Sequence, residues 1–220
     1  MFAPRCSSIM LACVVALGIT SCATAPDRPQ PAREDVKGMP ADEQDKRALE
    51  LFRRIYDTFE KGNRAQALPE VERLYGELID AYPEAALAQE SYWRLILIFL
   101  NDHTPPAFDR AEAYYNRFMA KYPSSQVRGE IDKALSDSYY RNKQWDRLLK
   151  FYTPAIKLYI EKGKLSKPQD MFMYAEAKLN LGDLVEAEKG YRIVIALFPR
   201  TRESALSSER LEEIRKRKPK

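Results

Sequence analysis

Glycine and histidine are scarce in this sequence. It holds 8 glycines and one histidine, His103, in 220 residues, and no two glycines lie close enough to form a loop that cradles phosphate. The glycine signatures of nucleotide-binding proteins are therefore missing, and one histidine offers little material for a Ser-His dyad or a zinc site. We expect a protein that binds a partner, that is not an enzyme, and that uses no cofactor or metal.

Cysteine is also rare and confined to the start of the chain, at Cys6, Cys13 and Cys22. Residues 9–19 carry no charge, and this run of 11 residues is too short to span a bilayer as a helix, which needs about 20. Its length is that of the apolar core of a secretory signal peptide. We predict a signal peptide over residues 1–21, which is removed from the mature protein.

The residues that follow the apolar core are Ile19, Thr20, Ser21 and Cys22. This pattern resembles the lipobox of bacterial lipoproteins, whose cysteine is lipidated and becomes the new N-terminus. The alternative is an ordinary signal peptide followed by an incidental cysteine. The resemblance implies a covalent lipid on Cys22, with palmitate-type acyl chains as the membrane anchor. Because Ala23 stands where an inner-membrane lipoprotein of enteric type has Asp, it also implies a periplasm-facing place in the bacterial outer membrane.

Proline marks the segment between the anchor and the rest of the chain. Residues 22–40 contain Pro26, Pro29, Pro31 and Pro40 and show no hydrophobic period. Proline-rich chain is extended and semi-rigid, so we interpret this segment as the lipidated cysteine and a tether. A helical domain is predicted over residues 41–217, and residues 218–220 form the end of a basic tail.

Apolar residues from about residue 42 onward recur at three- and four-residue spacing, which predicts an all-α domain. The predicted helices are 42–61, 64–81, 85–101, 107–121, 125–141, 145–162, 169–181, 184–197 and 202–217. An aromatic-Pro pair ends a helix at Tyr82, Tyr122 and Phe198, and these sites lie 40 and 76 residues apart, the second spacing being twice 38. A repeat of this length indicates a helical solenoid.

The last repeat carries the clearest pattern of side chains, with Gly182, Ala187, Tyr191 and Pro199 at fixed spacings. These spacings resemble the second half of a tetratricopeptide repeat, in which a small residue lets two helices touch, an aromatic fills the next layer and proline ends the helix. Ala111, Tyr115 and Pro123 repeat the pattern, whereas Trp145, Leu148 and Tyr152 fit it loosely. The resemblance implies a right-handed superhelical solenoid of about four helix pairs with a C-terminal capping helix.

The lipobox, the proline tether and the repeats together resemble a group of envelope tetratricopeptide lipoproteins. That group serves outer-membrane β-barrel assembly, pilus assembly and cell-division coordination. The resemblance implies a non-catalytic, membrane-anchored scaffold or adaptor that binds other cell-envelope proteins. One alternative is a specific role in assembling outer-membrane β-barrels, although this chain has about four repeats where the assembly protein has five. The alternative from another class is an enzyme that acts on the cell wall through a pair of carboxylates, since Asp and Glu are plentiful, although nothing distinguishes such a pair from ordinary solvated helix faces.

The first helices of such repeats line a concave groove, and their register assigns side chains to it. The assigned residues are Tyr56, Trp93, Lys133, Asp137, Tyr140, Arg141, Glu176 and Asn180. Aromatic and charged side chains together suit an extended peptide or a partner helix. Aromatic residues at helical spacing are also typical of a core, so Trp93 has a packing interpretation as well.

Two further features remain open in the sequence. The basic residues 215–220 could complement a helix dipole, stay solvated, or contact anionic lipid or cell-wall polymer, but we expect no nucleic acid as partner. His103 lies in a turn-rich segment and is interpreted as a surface loop residue.

Overall fold

The computed structural model describes residues 38–217. The predicted signal peptide, Cys22, the tether before Gly38 and the tail end 218–220 lie outside these residues. The described part contains the helices α1 (Ala41–Lys61), α2 (Arg64–Ala81), α3 (Ala86–Asn101), α4 (Phe108–Lys121), α5 (Arg128–Arg141), α6 (Trp145–Lys162), α7 (Pro168–Asn180), α8 (Leu184–Leu197) and α9 (Arg202–Arg217). No helix within residues 38–217 has the length and apolar character that a bilayer crossing requires.

The predicted fold class is confirmed, because nine helices and no strands make up the described part of the chain. The helix ends agree with the sequence prediction to within one residue, except at the start of α5. That helix begins at Arg128 and not at residue 125. A turn holds the preceding residues, since the Ser125 N–H donates to the Tyr122 carbonyl at 3.1 Å and the Ser125 hydroxyl accepts from the Val127 N–H at 3.1 Å.

Successive helices pack in antiparallel pairs, and the pairs stack into a solenoid. Each helix contacts the next along the chain, and α1, α3 and α5 also contact one another in order, as α7 contacts α9. This nearest-neighbour packing is typical of helical repeats. Between α5 and α7, however, no two Cα atoms of the described residues lie within 8 Å.

The three aromatic-Pro sites end their helices with nearly the same backbone geometry. Tyr82, Tyr122 and Phe198 have φ of −124°, −126° and −133° and ψ of 58°, 60° and 56°. Each N–H donates back to the carbonyl four residues earlier. Proline disfavours helical backbone in the residue before it, so the dipeptide ends the helix in the same way each time. The long α6, which lacks the dipeptide, ends instead at Gly163 in the left-handed conformation, with φ of 65°.

Two hydrophobic clusters form the core, and they meet near Pro154 in α6. The first extends from Ala48 to Tyr152 and includes Ala177, and the second extends from Ile156 to Ile214. The small residues that the repeat pattern singles out are packed as expected, because Ala111 and Ala187 are fully buried. The helices α5 and α7 therefore belong largely to different clusters, and side chains must bridge the space between them.

Candidate functional site

The residues assigned to the groove lie on α1, α3, α5 and α7, and we call this side of the solenoid, with α9, the odd-helix face. Four of the assigned side chains are exposed, three are half-buried and one is buried. The exposed ones are Tyr56, Lys133, Arg141 and Asn180; the half-buried ones are Trp93, Asp137 and Tyr140; the buried one is Glu176.

Side chains that are about one repeat apart in sequence meet on this face. Arg141 on α5 donates from Nη2 to the Asn101 side-chain oxygen on α3 at 3.3 Å. Tyr140 on α5 donates from its hydroxyl to Glu176 on α7 at 2.8 Å. Within α5, Lys133 and Asp137 form an ion pair. Side-chain hydrogen bonds thus connect α3 to α5 and α5 to α7 on this face.

Trp93 has features of both roles that the sequence left open, a core packing residue and a residue of the groove. It is half-buried and packs against the first hydrophobic cluster, and the guanidinium of Arg94 lies 5.3 Å from the centre of its ring. One part of the indole therefore stabilises the core while another part remains on the odd-helix face.

Glu176 is not available as a surface contact, which corrects its assignment to an open groove. It is 1% exposed, and its carboxylate accepts four hydrogen bonds. The hydroxyls of Tyr191 and Tyr140 donate to it at 2.6 and 2.8 Å, and Arg210 on α9 donates from Nε at 2.7 Å and from Nη2 at 3.3 Å. We call these four residues the Glu176 cluster.

The Glu176 cluster connects α5, α7, α8 and α9. The pKa of Arg210 is raised above its ordinary value, mainly by its hydrogen bond with Glu176. Burial and the bond to the same carboxylate raise the pKa of Tyr191. Tyr140 also packs edge-on against Trp145, with ring centres 5.4 Å apart. Tyr140 therefore has a packing role, and Arg141 is the freer surface residue of the two.

A pocket of about 500 Å³ opens between α1 and α3, and we call it the α1–α3 pocket. Its lining residues are Phe52, Ile55, Tyr56, Phe59, Arg64, Tyr75, Arg94, Leu97, Ile98, Asn101 and Asp102. Of these only Tyr56 was assigned from the sequence. Tyr56 is 60% exposed at the rim and donates to Glu60 at 2.6 Å. Leu97 and Asn101 lie one and two turns beyond Trp93 on α3, so the same register argument could have found them.

A second cavity, of about 640 Å³, lies between α4 and α6 with α5 at its base. The tyrosine hydroxyls around it are paired. Tyr115 donates to Asp132 at 2.6 Å, Tyr139 to Glu112 at 2.8 Å, and Tyr152 to Ser136 at 2.8 Å. Burial raises the pKa of Asp170 at its edge. Two of these hydrogen bonds join α4 to α5 and the third joins α5 to α6, so they indicate a structural role.

His103 lies in the turn after α3, as predicted for a surface loop residue, but its side chain is also paired with a glutamate on another helix. Its Nε2 is 2.6 Å from Oε1 of Glu72 on α2, and Arg110 donates to Oε2 of the same carboxylate at 2.7 Å. The histidine thus connects neighbouring helix pairs. Among residues 38–217, no three His, Cys, Asp or Glu side chains are placed to share a metal ion.

Comparison with known proteins identifies the repeat. Residues 171–201 match the tetratricopeptide repeat family, a segment that runs from Met171 in α7 through α8 to the turn before α9. It includes Ala187, Tyr191 and Pro199, whose spacing predicted the repeat. No curated protein matches the chain. The protein therefore contains a tetratricopeptide repeat, set in a solenoid of helix pairs.

Proposed function

We propose that the protein is a non-catalytic adaptor that binds other cell-envelope proteins through its odd-helix face. The observation that supports this most strongly is that exposed aromatic, charged and amide side chains lie on α1, α5 and α7 of one face, with the half-buried Trp93 on α3 between them; the exposed ones are Tyr56, Lys133, Arg141 and Asn180. Tetratricopeptide solenoids use such extended surfaces to bind protein partners. Aromatic residues and arginine are the types that most often supply the energy of a protein interface.

The proposed adaptor is held at the periplasmic side of the outer membrane by lipid on Cys22. The support comes from the sequence: an apolar core at residues 9–19, the run Ile19-Thr20-Ser21-Cys22 and the following Ala23. One acyl chain gives only marginal membrane binding, whereas several chains on one cysteine give a stable anchor. A proline-rich tether of the 18 residues 23–40 could place the domain up to ~55 Å from the lipid surface at ~3.1 Å per residue.

The resemblance to envelope lipoproteins suggests the first partners to test. These are components of β-barrel assembly, pilus assembly and cell division. The basic residues 215–220 add a possible contact with anionic lipid or cell-wall polymer, because lysine and arginine near a membrane surface attract anionic headgroups.

Replacing Cys22 tests the anchor. Cys22→Ser should abolish labelling with radioactive palmitate and move the protein into the soluble periplasmic fraction or leave it as uncleaved precursor. The reason is that only a thiol can form the thioether to the diacylglyceryl group. The measurement is fractionation in high salt and in carbonate. Cys13→Ser, inside the predicted signal peptide, is the matched control and should be lipidated normally; unchanged membrane partitioning of Cys22→Ser would disprove the anchor.

A triple variant tests the odd-helix face. Tyr56→Ala, Arg141→Ala and Asn180→Ala remove exposed side chains from three helices and leave the Glu176 cluster in place. We expect cross-linked partners recovered from detergent-solubilised envelopes to fall at least ~10-fold, since each repeat supplies part of the contact, while the melting temperature stays nearly unchanged.

The matched control for this experiment changes the even helices. Ile160→Ala in α6, with Arg192→Ala in α8, removes exposed side chains from the other helices and should recover the wild-type set of partners. If the odd-helix variant also recovers the full set, binding through this face is excluded.

A further inference from the structure

The α1–α3 pocket is lined mainly by apolar side chains and also by a tyrosine and two arginines. Phe52, Ile55, Phe59, Leu97 and Ile98 form the walls. Tyr75, on α2, also lines the pocket, although its residue surface is only 5% exposed. Its ring packs edge-on against Phe52, with ring centres 6.3 Å apart. The ring is therefore fixed, and its hydroxyl has a defined position.

The Tyr75 hydroxyl has no hydrogen-bond partner among the described residues, and the charges that act on it include those of Arg94 and Arg64, which line the same pocket. Within residues 38–217, the side-chain polar atoms that are both unpartnered and sealed from solvent are the hydroxyls of Ser91 and Ser207. The Tyr75 hydroxyl is not sealed in this way. Burial raises the pKa of Tyr75 to about 12, so the hydroxyl keeps its proton at neutral pH and can donate it. Tyrosine hydroxyls in such settings usually have a partner.

Two arginines line the same pocket, each with donor capacity to spare. Arg64 uses Nε and Nη2 on the two oxygens of Asp102, at 2.6 and 3.0 Å, and its guanidinium lies 4.7 Å from the centre of the Phe59 ring. Arg94 uses Nε and Nη2 on one oxygen of Glu90, at 3.1 and 2.9 Å. In both arginines the Nη1 group makes no hydrogen bond with the described part of the chain.

The Asp102 and Asn101 side chains, which line the pocket and carry hydrogen-bond acceptors, already accept hydrogen bonds within the protein. Both oxygens of Asp102 accept from Arg64, and the Asn101 side chain donates to the Leu97 carbonyl and accepts from Arg141. The groups that line the pocket and remain for a ligand are thus mainly donors around an apolar space, and two of them belong to arginines that are each paired with one carboxylate, of Asp102 and of Glu90. Such a site favours a ligand that has a large apolar group and, beside it, a negatively charged acceptor.

We propose that the α1–α3 pocket binds an acidic, apolar segment of a partner protein. One large apolar side chain of the segment enters between α1 and α3, and an adjacent carboxylate accepts from the Tyr75 hydroxyl and from the spare Nη1 groups of Arg64 and Arg94. The volume of about 500 Å³ accommodates one or two large side chains, because pockets of ~300–1,000 Å³ hold drug-sized ligands. The proposal rests on the proposed function and adds the chemistry of the partner.

Three capped nonapeptides test the charge that the pocket selects. Each has Leu-Phe at its centre; one carries three flanking glutamates, one three glutamines and one three lysines. By titration calorimetry we expect the glutamate peptide to bind at least ~10-fold more tightly than the glutamine peptide, since hydrogen bonds to charged groups are stronger than those to neutral ones, and we expect the lysine peptide to show no binding. Amide NMR shifts should map to α1, α2 and α3.

Two variants test the site, with a matched control. Tyr75→Phe removes a single hydroxyl and should weaken the glutamate peptide roughly 10-fold. Leu97→Glu places a negative charge in the pocket. This charge repels the glutamate peptide, so the variant should abolish its binding. Leu158→Glu puts the same change on α6 at an exposed leucine outside the pocket and should leave binding unchanged.

The outcomes separate this inference from the proposed function. Equal binding of the three peptides, or an unchanged affinity in Tyr75→Phe with the fold retained, overturns the inference. So does tighter binding of decanoate than of the glutamate peptide at the same residues, because the occupant would then be a free amphiphile. None of these results decides whether the protein binds partners through the odd-helix face. The triple variant tests that function separately, because two of its substitutions lie on α5 and α7, outside this pocket.

Discussion

Replacing Arg210 by methionine should lower the free energy of unfolding by about 3 kcal/mol, the lower end of the ~3–5 kcal/mol that removing one partner from a buried ion pair costs, because the Arg210 side chain is itself 35% exposed. The Glu176 carboxylate is 1% exposed, and Arg210 supplies the positive charge beside it, 2.7 Å away. Methionine fills similar space but leaves that negative charge without compensation. Urea denaturation followed by circular dichroism measures the loss.

The control for this prediction is Arg192→Met in α8. Arg192 pairs with Glu188 at 2.8 Å, but its side chain is 67% exposed. Surface pairs of this kind contribute about 0–1 kcal/mol, so the change should be small. A loss below about 1 kcal/mol in Arg210→Met as well would show that the cluster does not hold the C-terminal helices.

A second substitution separates charge from packing. Adding Glu176→Gln to Arg210→Met removes the buried charge, and the glutamine amide can accept from one of the two tyrosine hydroxyls and donate to the other. The double variant should regain part of the stability lost in Arg210→Met. If stability falls further by the full effect of each single change, the two residues act independently and the ion pair has no special role.

The order and ends of the helices could be predicted because they depend on local signals. The Tyr82, Tyr122 and Phe198 sites each precede a proline, which restricts the backbone regardless of what packs nearby. Ala111 and Ala187 could be assigned to close helix contacts because a small residue at a fixed spacing has few other roles in the repeat. The start of α5 was missed because the turn at Ser125 depends on a side-chain hydrogen bond that competes with helix.

The candidate site was only partly predictable because it depends on contacts between repeats. A glutamate on an amphipathic helix is usually exposed, and nothing near Glu176 in sequence indicates that Arg210 and Tyr191 surround it. Tyr75 resembles any other core aromatic of a second helix. Its place in a ligand site becomes visible only in the structure, where the side chains of α1 and α3 leave a pocket that Tyr75 lines.

The contact between α7 and α8 gives the second large expected effect. A Cβ atom placed on Gly190 would lie 2.8 Å from the Cβ of Ala175, and 3.5 Å from the sulfur of Met171. Carbon atoms in contact prefer about 3.5–4.0 Å. Both Cβ atoms are attached directly to backbone, so the helices themselves would have to separate. Gly190→Ala should therefore lower the free energy of unfolding by about 1–3 kcal/mol.

The same substitution at another helical glycine should have the opposite sign. Gly129 lies in the first turn of α5, and a Cβ atom there would meet nothing within 4 Å. Alanine is favoured over glycine in a helix by up to about 1 kcal/mol, so Gly129→Ala should raise the free energy of unfolding slightly. Because helix propensity acts alike at both sites, the difference between the two variants measures the close approach of α7 and α8. Equal effects would mean that the helices of the matched repeat can move apart without cost, and that Gly190 does not set their spacing.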